Sequence, residues 1–167
     1  MRQIQFVYNY NDVFEYCRSV SLLKVYSLDS EENARLAEIY GITIDEQDHF
    51  VWHCLKFACD DVFLSLKRHS YGDQPYGFNV DDGNGNQVIY YNAEIGAVQD
   101  DMLRDYILEA IRNYAMKEWY KIKGEINIAA FHEAEYLKNI GHLHQYTKGN
   151  NTDFGNINTA QRGGIFN

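Results

Sequence analysis

Proline is almost missing from this chain of 167 residues: Pro75 is the only one. Long helices can therefore run on either side of it, because no ring removes a backbone donor inside them. Cysteine is scarce too, and Cys17, Cys54 and Cys59 make an odd number. That reads as buried free thiols in a reducing compartment rather than a disulfide framework. Cations are short: 15 Lys and Arg stand against 24 Asp and Glu, for a formal net charge of −9. A protein that grips DNA neutralises phosphates with Lys and Arg, so sequence-reading DNA binding is not expected. No apolar run approaches the roughly 18 residues of a membrane span. Met1-Arg2-Gln3-Ile4-Gln5-Phe6 lacks the apolar stretch of a signal peptide, and none is expected. The sequence also has no Gly-rich phosphate loop, no Gly-x-Ser-x-Gly elbow and no His-Glu-x-x-His. The expectation is a protein without catalytic activity, cofactor or resident metal.

What the chain does have is apolar and aromatic surface. Hydrophobic residues make up 46%, enough for one real core but not two at this length. Fourteen tyrosines, nine phenylalanines and two tryptophans bring the aromatics to 15%, and tyrosine is favoured where surfaces meet.

Along the chain, Ile4, Phe6 and Tyr8 alternate with Gln3, Gln5 and Val7, as in a short strand or an extended arm. Asn11-Asp12 reads as a helix start, with the helix ending near Leu23. Asp29-Ser30-Glu31-Glu32 opens another, which stops at Gly41. Thr43 and Glu46 fit a capping box for a long helix over about 44–69. On it, Ile44, Val51, Cys54, Leu55, Ala58, Val62 and Leu66 share one face, while Phe50, Phe57 and Leu64 recur by sevens as a second stripe. Gly77–Val80 and Gln87–Tyr91 read as strands around the turn chemistry of Asp81-Asp82-Gly83-Asn84-Gly85-Asn86, a β-hairpin at about 77–91 projecting from the body. A helix follows over about 100–123, and Gly124 ends it. The last helix covers about 125–146, with Ile126, Ala129, Ala130, Tyr136, Leu137, Ile140 and Leu143 as its main face and Ile128, Phe131 and Tyr146 on the other side. From Thr147 to Asn167 Asn and Gly dominate, and Phe154, Ile157, Ile165 and Phe166 are the only large apolar residues. The expected architecture is thus mainly α: a bundle of four to five helices over 1–146 with an inserted β-hairpin, then an extended or disordered tail over 147–167.

The second stripes, Phe50, Phe57 and Leu64 on one helix and Ile128 and Phe131 on another, are candidate partner contacts, as are the four tail anchors. His49 and His53 share a helix face at the spacing of a metal half-site, which makes a small metal-binding or catalytic helical protein the alternative. Glu46-Gln47-Asp48-His49 matches one half of a di-iron motif that has no second copy here. Asp82–Asn86 begins like a calcium loop, but Gln87 and Ala93 stand where glycine and glutamate are needed, so a turn is expected. A bacterial interaction module built on the same bundle is a third reading.

Leu103–Ile111, then Tyr114-Ala115-Met116-Lys117-Glu118-Trp119-Tyr120, then the helix with Phe131-His132-Glu133-Ala134-Glu135-Tyr136 and a polar tail form a sequence of elements that resembles the head-to-tail connector (adaptor, or ring) proteins of tailed bacteriophages, including the crAss-like group. The resemblance covers about residues 30–146 as an architecture, with Trp119-Tyr120 its best motif. It implies a virion protein made in the host cytoplasm, a homo-oligomeric ring, commonly of twelve subunits, docked on the portal protein and on other tail or ring proteins. DNA would pass through its lumen without specific binding. Phe154, Ile157, Ile165 and Phe166 would anchor the tail on a neighbour. The arm before Asn11 departs from the family's pattern.

Overall fold

The computed structural model describes residues 2–23, 50–95 and 100–148, with Arg35, Glu38, Ile39, Gly41 and Ile42 between. Most of the expected 29–40 helix, the Thr43–Glu46 capping box, His49 and the tail anchors Phe154, Ile157, Ile165 and Phe166 lie outside the described residues. Within them, four α-helices and one three-stranded antiparallel sheet are present, a mainly helical chain carrying a β-hairpin.

Strand β1 spans Arg2–Asn9 and runs directly into α1, Tyr10–Leu23. The junction is a cap: the Asn9 side-chain oxygen accepts from the backbone N–H of Asn11 at 2.9 Å and of Asp12 at 3.3 Å. The cap therefore lies two residues, and the helix start one residue, before the expected Asn11-Asp12 pair. Helix α2, Lys56–Leu66, is entered through a π-helical turn, Val51–Leu55, and leaves through a 3₁₀ turn, Lys67–His69. Strands β2 (Tyr76–Asp81) and β3 (Gln87–Ile95) form the hairpin. Its turn is closed by the Asp82 carboxylate, which accepts from the N–H groups of Asn84 at 2.8 Å and Asn86 at 3.1 Å. Gly83 and Gly85 supply the left-handed φ values of 84° and 86°.

The hairpin does not project from the body. Its strand β3 is central, in the order β1-β3-β2, and pairs antiparallel with β1 so that Phe6 faces Tyr91 and Tyr8 faces Ile89. The N-terminal alternation is thus a sheet strand rather than a free arm. Phe6, Tyr8, Ile89, Tyr91, Ala93 and Ile95 are buried on one face. Two tyrosine hydroxyls fasten the sheet to the helices: Tyr91 donates to the Cys59 carbonyl at 2.9 Å and Tyr8 to the Arg104 carbonyl at 3.0 Å. Arg104 in turn donates to the Val7 carbonyl at 2.9 Å, so α3 covers part of the β1 edge.

Helix α3, Asp100–Ile122, buries Leu103, Ile107, Ala110, Ile111, Ala115, Met116, Trp119 and Tyr120. These lie on more than one side of the helix, which makes it the central one. Gly124 at φ 78° turns the chain, with Glu125 N–H bonded to the Tyr120 carbonyl at 2.8 Å and Gly124 N–H to that of Lys121 at 3.1 Å. Helix α4, Ile126–Lys148, then returns along α3.

Two helix faces differ from expectation. Phe50 belongs to the core, not to the stripe of Phe57 and Leu64. It is 2% exposed and sits edge-to-face with Trp119 at 5.4 Å and with Phe14 at 6.1 Å between ring centroids. The cause is the π turn, which accommodates an extra residue and rotates everything before it by about 100° relative to an uninterrupted α-helix. On α4 the inward residues are Ala129, His132, Tyr136, Asn139 and Leu143, while Ile126, Ala130 and Leu137 face out. Two polar side chains took inward positions because their hydrogen bonds are satisfied there. His132 meets Asn113, and Asn139 donates to the Glu135 carbonyl at 2.8 Å.

Candidate functional site

The residues expected to meet partners fall in three settings. Phe57 and Leu64, 54% and 62% exposed, project from α2 seven residues apart. Ile128 packs half-buried against the core. Phe131, 61% exposed, stands at the rim of a cleft of about 430 Å³ between α1, α3 and α4. Tyr16 and Val20 of α1 form one wall, Glu109, Asn113 and Tyr120 of α3 the floor, and Ile128, Phe131, His132 and Glu135 of α4 the other wall.

The polar geometry of this cleft is settled by hydrogen-bond bookkeeping. The Asn113 amide nitrogen donates to the Glu109 carbonyl at 2.9 Å, so its oxygen is the acceptor facing His132 Nδ1 at 3.0 Å. His132 therefore carries its proton on Nδ1. Its ring lies parallel to that of Tyr120, 5.6 Å away and tilted by 7°. Burial holds the imidazole below its ordinary pKa, and the nearby Glu135 carboxylate opposes that only in part. Native-state neutrality has a measurable consequence. The His132 ring resonances are expected to titrate below the usual imidazole midpoint. His132 then contributes stability above the unfolded-state pKa, and that contribution is lost as pH falls through the folded value. An NMR titration checks this, and a midpoint at or above the ordinary value refutes it.

Across the mouth, the Arg112 guanidinium lies 3.7 Å from the centroid of the Tyr16 ring and bonds Glu109 at 2.9 Å. The cleft thus joins rings, paired charges and a neutral imidazole, with no serine, threonine or cysteine among the described residues that line it. The thiols do not supply one. Cys17, Cys54 and Cys59 are buried, and burial pushes Cys17 and Cys54 up to about 12 and Cys59 higher still.

Among the described residues no three His, Cys, Asp or Glu side chains converge as a metal site. His53 is exposed at the π turn, and His49 lies outside the described residues. His142 and His144 stand on an unbroken α4 and diverge, with His142 stacked on Tyr106 at 4.8 Å. Asp82 spends its oxygens on turn amides. A second polar cluster joins α2, α3 and α4. Tyr136 donates to the Asp61 carboxylate, and the buried Lys117 ammonium bonds Glu118 at 3.0 Å and sits 3.7 Å over the Tyr114 ring. Its groups are paired with one another, as buried charges must be.

Sequence periodicity missed the outward face of α4. Ile126 at 65% and Leu137 at 59% are as exposed as Phe131. One signal for it was present. Gly141 lies inside α4, where glycine costs about 1 kcal/mol relative to alanine. A Cβ there would meet no atom of the described residues within 4 Å, so their packing does not require a glycine.

No family model matches the chain, and no curated protein or solved structure shows significant similarity to it.

Proposed function

We propose that this chain is a structural virion subunit without catalytic activity, a ring-forming head-to-tail adaptor that joins the portal to the tail of a tailed bacteriophage. The observation that carries the reading is that large apolar side chains stand exposed on two separate helices around a complete core: Phe57 and Leu64 on α2, and Ile126, Phe131 and Leu137 on α4. A ring built head-to-tail needs two different faces on each subunit, each meeting the other on its neighbour. A sequence without a catalytic motif, the resemblance of the Trp119-Tyr120 helix and its successor to connector proteins, and the net charge of −9 all agree with it. DNA passing a lumen of acidic subunits would not be gripped. In this proposal the body is a bundle to which the 29–40 segment adds a fifth helix, and Phe154, Ile157, Ile165 and Phe166 anchor the tail on the portal or a neighbour. Twelve copies is the number that the resemblance implies.

The test is assembly. Purified protein mixed with a portal protein from the same source is expected to shift to a large complex by light scattering. The double variant Phe57→Asp/Leu64→Asp is expected to keep its circular dichroism and lose the complex. A wild-type chain that stays monomeric and never binds portal sinks the proposal.

A further inference from the structure

The cleft between α1, α3 and α4 holds one deeply set polar group that the fold leaves half-satisfied. His132 is 8% exposed, and its Nδ1–H is committed to the Asn113 oxygen at 3.0 Å. The other nitrogen, Nε2, offers a lone pair and meets no donor among the described residues. Nor is it sealed from solvent: the buried polar atoms left unpaired among the described residues belong to His69, Tyr76 and Arg112. Buried polar groups ordinarily find partners. This acceptor opens instead on the cleft that its own ring lines.

The other groups around the space repeat the bias toward acceptors. Glu109 gives one carboxylate oxygen to Arg112 at 2.9 Å, and Glu135 gives one to Lys138 at 3.2 Å. Their second oxygens have no partner among the described residues. No Lys or Arg stands among the described residues that line the cleft. Two rings flank these acceptors. Phe131 rises at the rim, edge-to-face with His132 at 5.4 Å between centroids. Tyr16 carries the Arg112 guanidinium 3.7 Å from its centroid, so its electron-rich face already takes a cation.

Such a lining selects a ligand by its donors. An anion finds no cation there and is repelled by both carboxylates. A purely apolar ligand leaves Nε2 covered and unsatisfied, which weakens binding about tenfold or more. A cation on an apolar body meets every demand: its N–H groups reach Nε2 and the carboxylates, and its charge lies near the rings. The net charge of −9 draws such a ligand in. The volume of about 430 Å³ is that of a small-molecule site.

We infer that this cleft binds an organic cation, an ammonium or guanidinium group on an apolar body, with His132 Nε2 as neutral acceptor, Glu109 and Glu135 as opposite charges, and Tyr16 and Phe131 as flanking rings. One subunit holds the whole site, so the inference stands apart from ring assembly. A free amine and an arginine side chain of another protein carry the same chemistry.

Isothermal titration calorimetry of the full chain at neutral pH tests this, with phenethylamine and acetylarginine amide as probes. At least one is expected to bind with a Kd of about 1 mM or tighter. Phenethyl alcohol, the neutral counterpart of phenethylamine, is expected to bind about tenfold more weakly or worse, and hydrocinnamate not at all. Tighter binding of phenethylamine assigns the site to a free amine, and tighter binding of the arginine amide assigns it to a protein side chain. Phe131→Ala and Glu135→Gln are each expected to keep the circular dichroism and weaken the cation about 2- to 5-fold. In nitrogen NMR of the wild type, the His132 Nε2 resonance is expected to move upfield on binding, as an acceptor does, while Nδ1 stays. Absence of binding by both cations up to about 10 mM overturns the inference. So does phenethyl alcohol binding as well as phenethylamine, so does binding indifferent to both variants, and so does an Nε2 resonance that stays in place at saturation.

Discussion

Phe50→Ala is expected to lower the unfolding free energy by about 3–5 kcal/mol, the usual cost of deleting a buried phenylalanine ring. Phe57→Ala, seven residues on, is expected to change it by less than about 0.5 kcal/mol, as exposed positions do. Phe50 is 2% exposed between Phe14 and Trp119, so its loss leaves a void that two aromatic neighbours line. Edge-to-face ring pairs add about 0.5–1.5 kcal/mol beyond area burial, and both would go. Phe57, at 54% exposure, has little to lose within the subunit. Urea unfolding of the two variants measures the contrast. Equal effects would mean that Phe50 and Phe57 share a face after all.

Deleting His53 is expected to cost as much as Phe50→Ala, again about 3–5 kcal/mol, whereas His53→Ala is expected to stay within about 1 kcal/mol. The reason is geometric. The Val51–Leu55 turn is π-helical, and a π turn is what one additional residue in an α-helix produces. Removing an exposed residue from it restores the ordinary register and swings Phe50 by about 100° away from Trp119. The substitution keeps the register and leaves Phe50 in place. The same unfolding experiment reads both, with near-ultraviolet circular dichroism reporting the Trp119 environment. A deletion variant as stable as the wild type would falsify the claim that the π turn positions Phe50.

How far these features can be read from residues alone varies by element. The inward face running from Cys54 of the π turn along α2 to Leu66, the hairpin turn and the α3–α4 break at Gly124 were legible because each rests on local chemistry: periodicity, turn residues, a glycine at positive φ. The π turn was not, since an inserted residue changes which side chains share a face without altering their identities. Nor was the true inner face of α4. Counting apolar residues favours Leu137 over His132, but Asn113 gives His132 a partner that only the folded chain brings near. Of the residues expected to face partners, Phe57, Leu64 and Phe131 are exposed, Ile128 is half-buried, and Phe50 moved inside. The cleft itself joins residues from Tyr16 to Glu135, a long-range arrangement with no local signature.

The pairing of β1 with β3 has a consequence for how the chain is made. Arg2 pairs with Ile95 and Phe6 with Tyr91, so β1 finds its partner only once synthesis has passed β3. At about 5–20 residues per second the nascent β1 waits several seconds with Phe6 and Tyr8 uncovered. Contacts so distant in sequence also slow folding, because loop closure must come before they help. Strand β1 is thus secured only once the hairpin, made later, has formed to receive it.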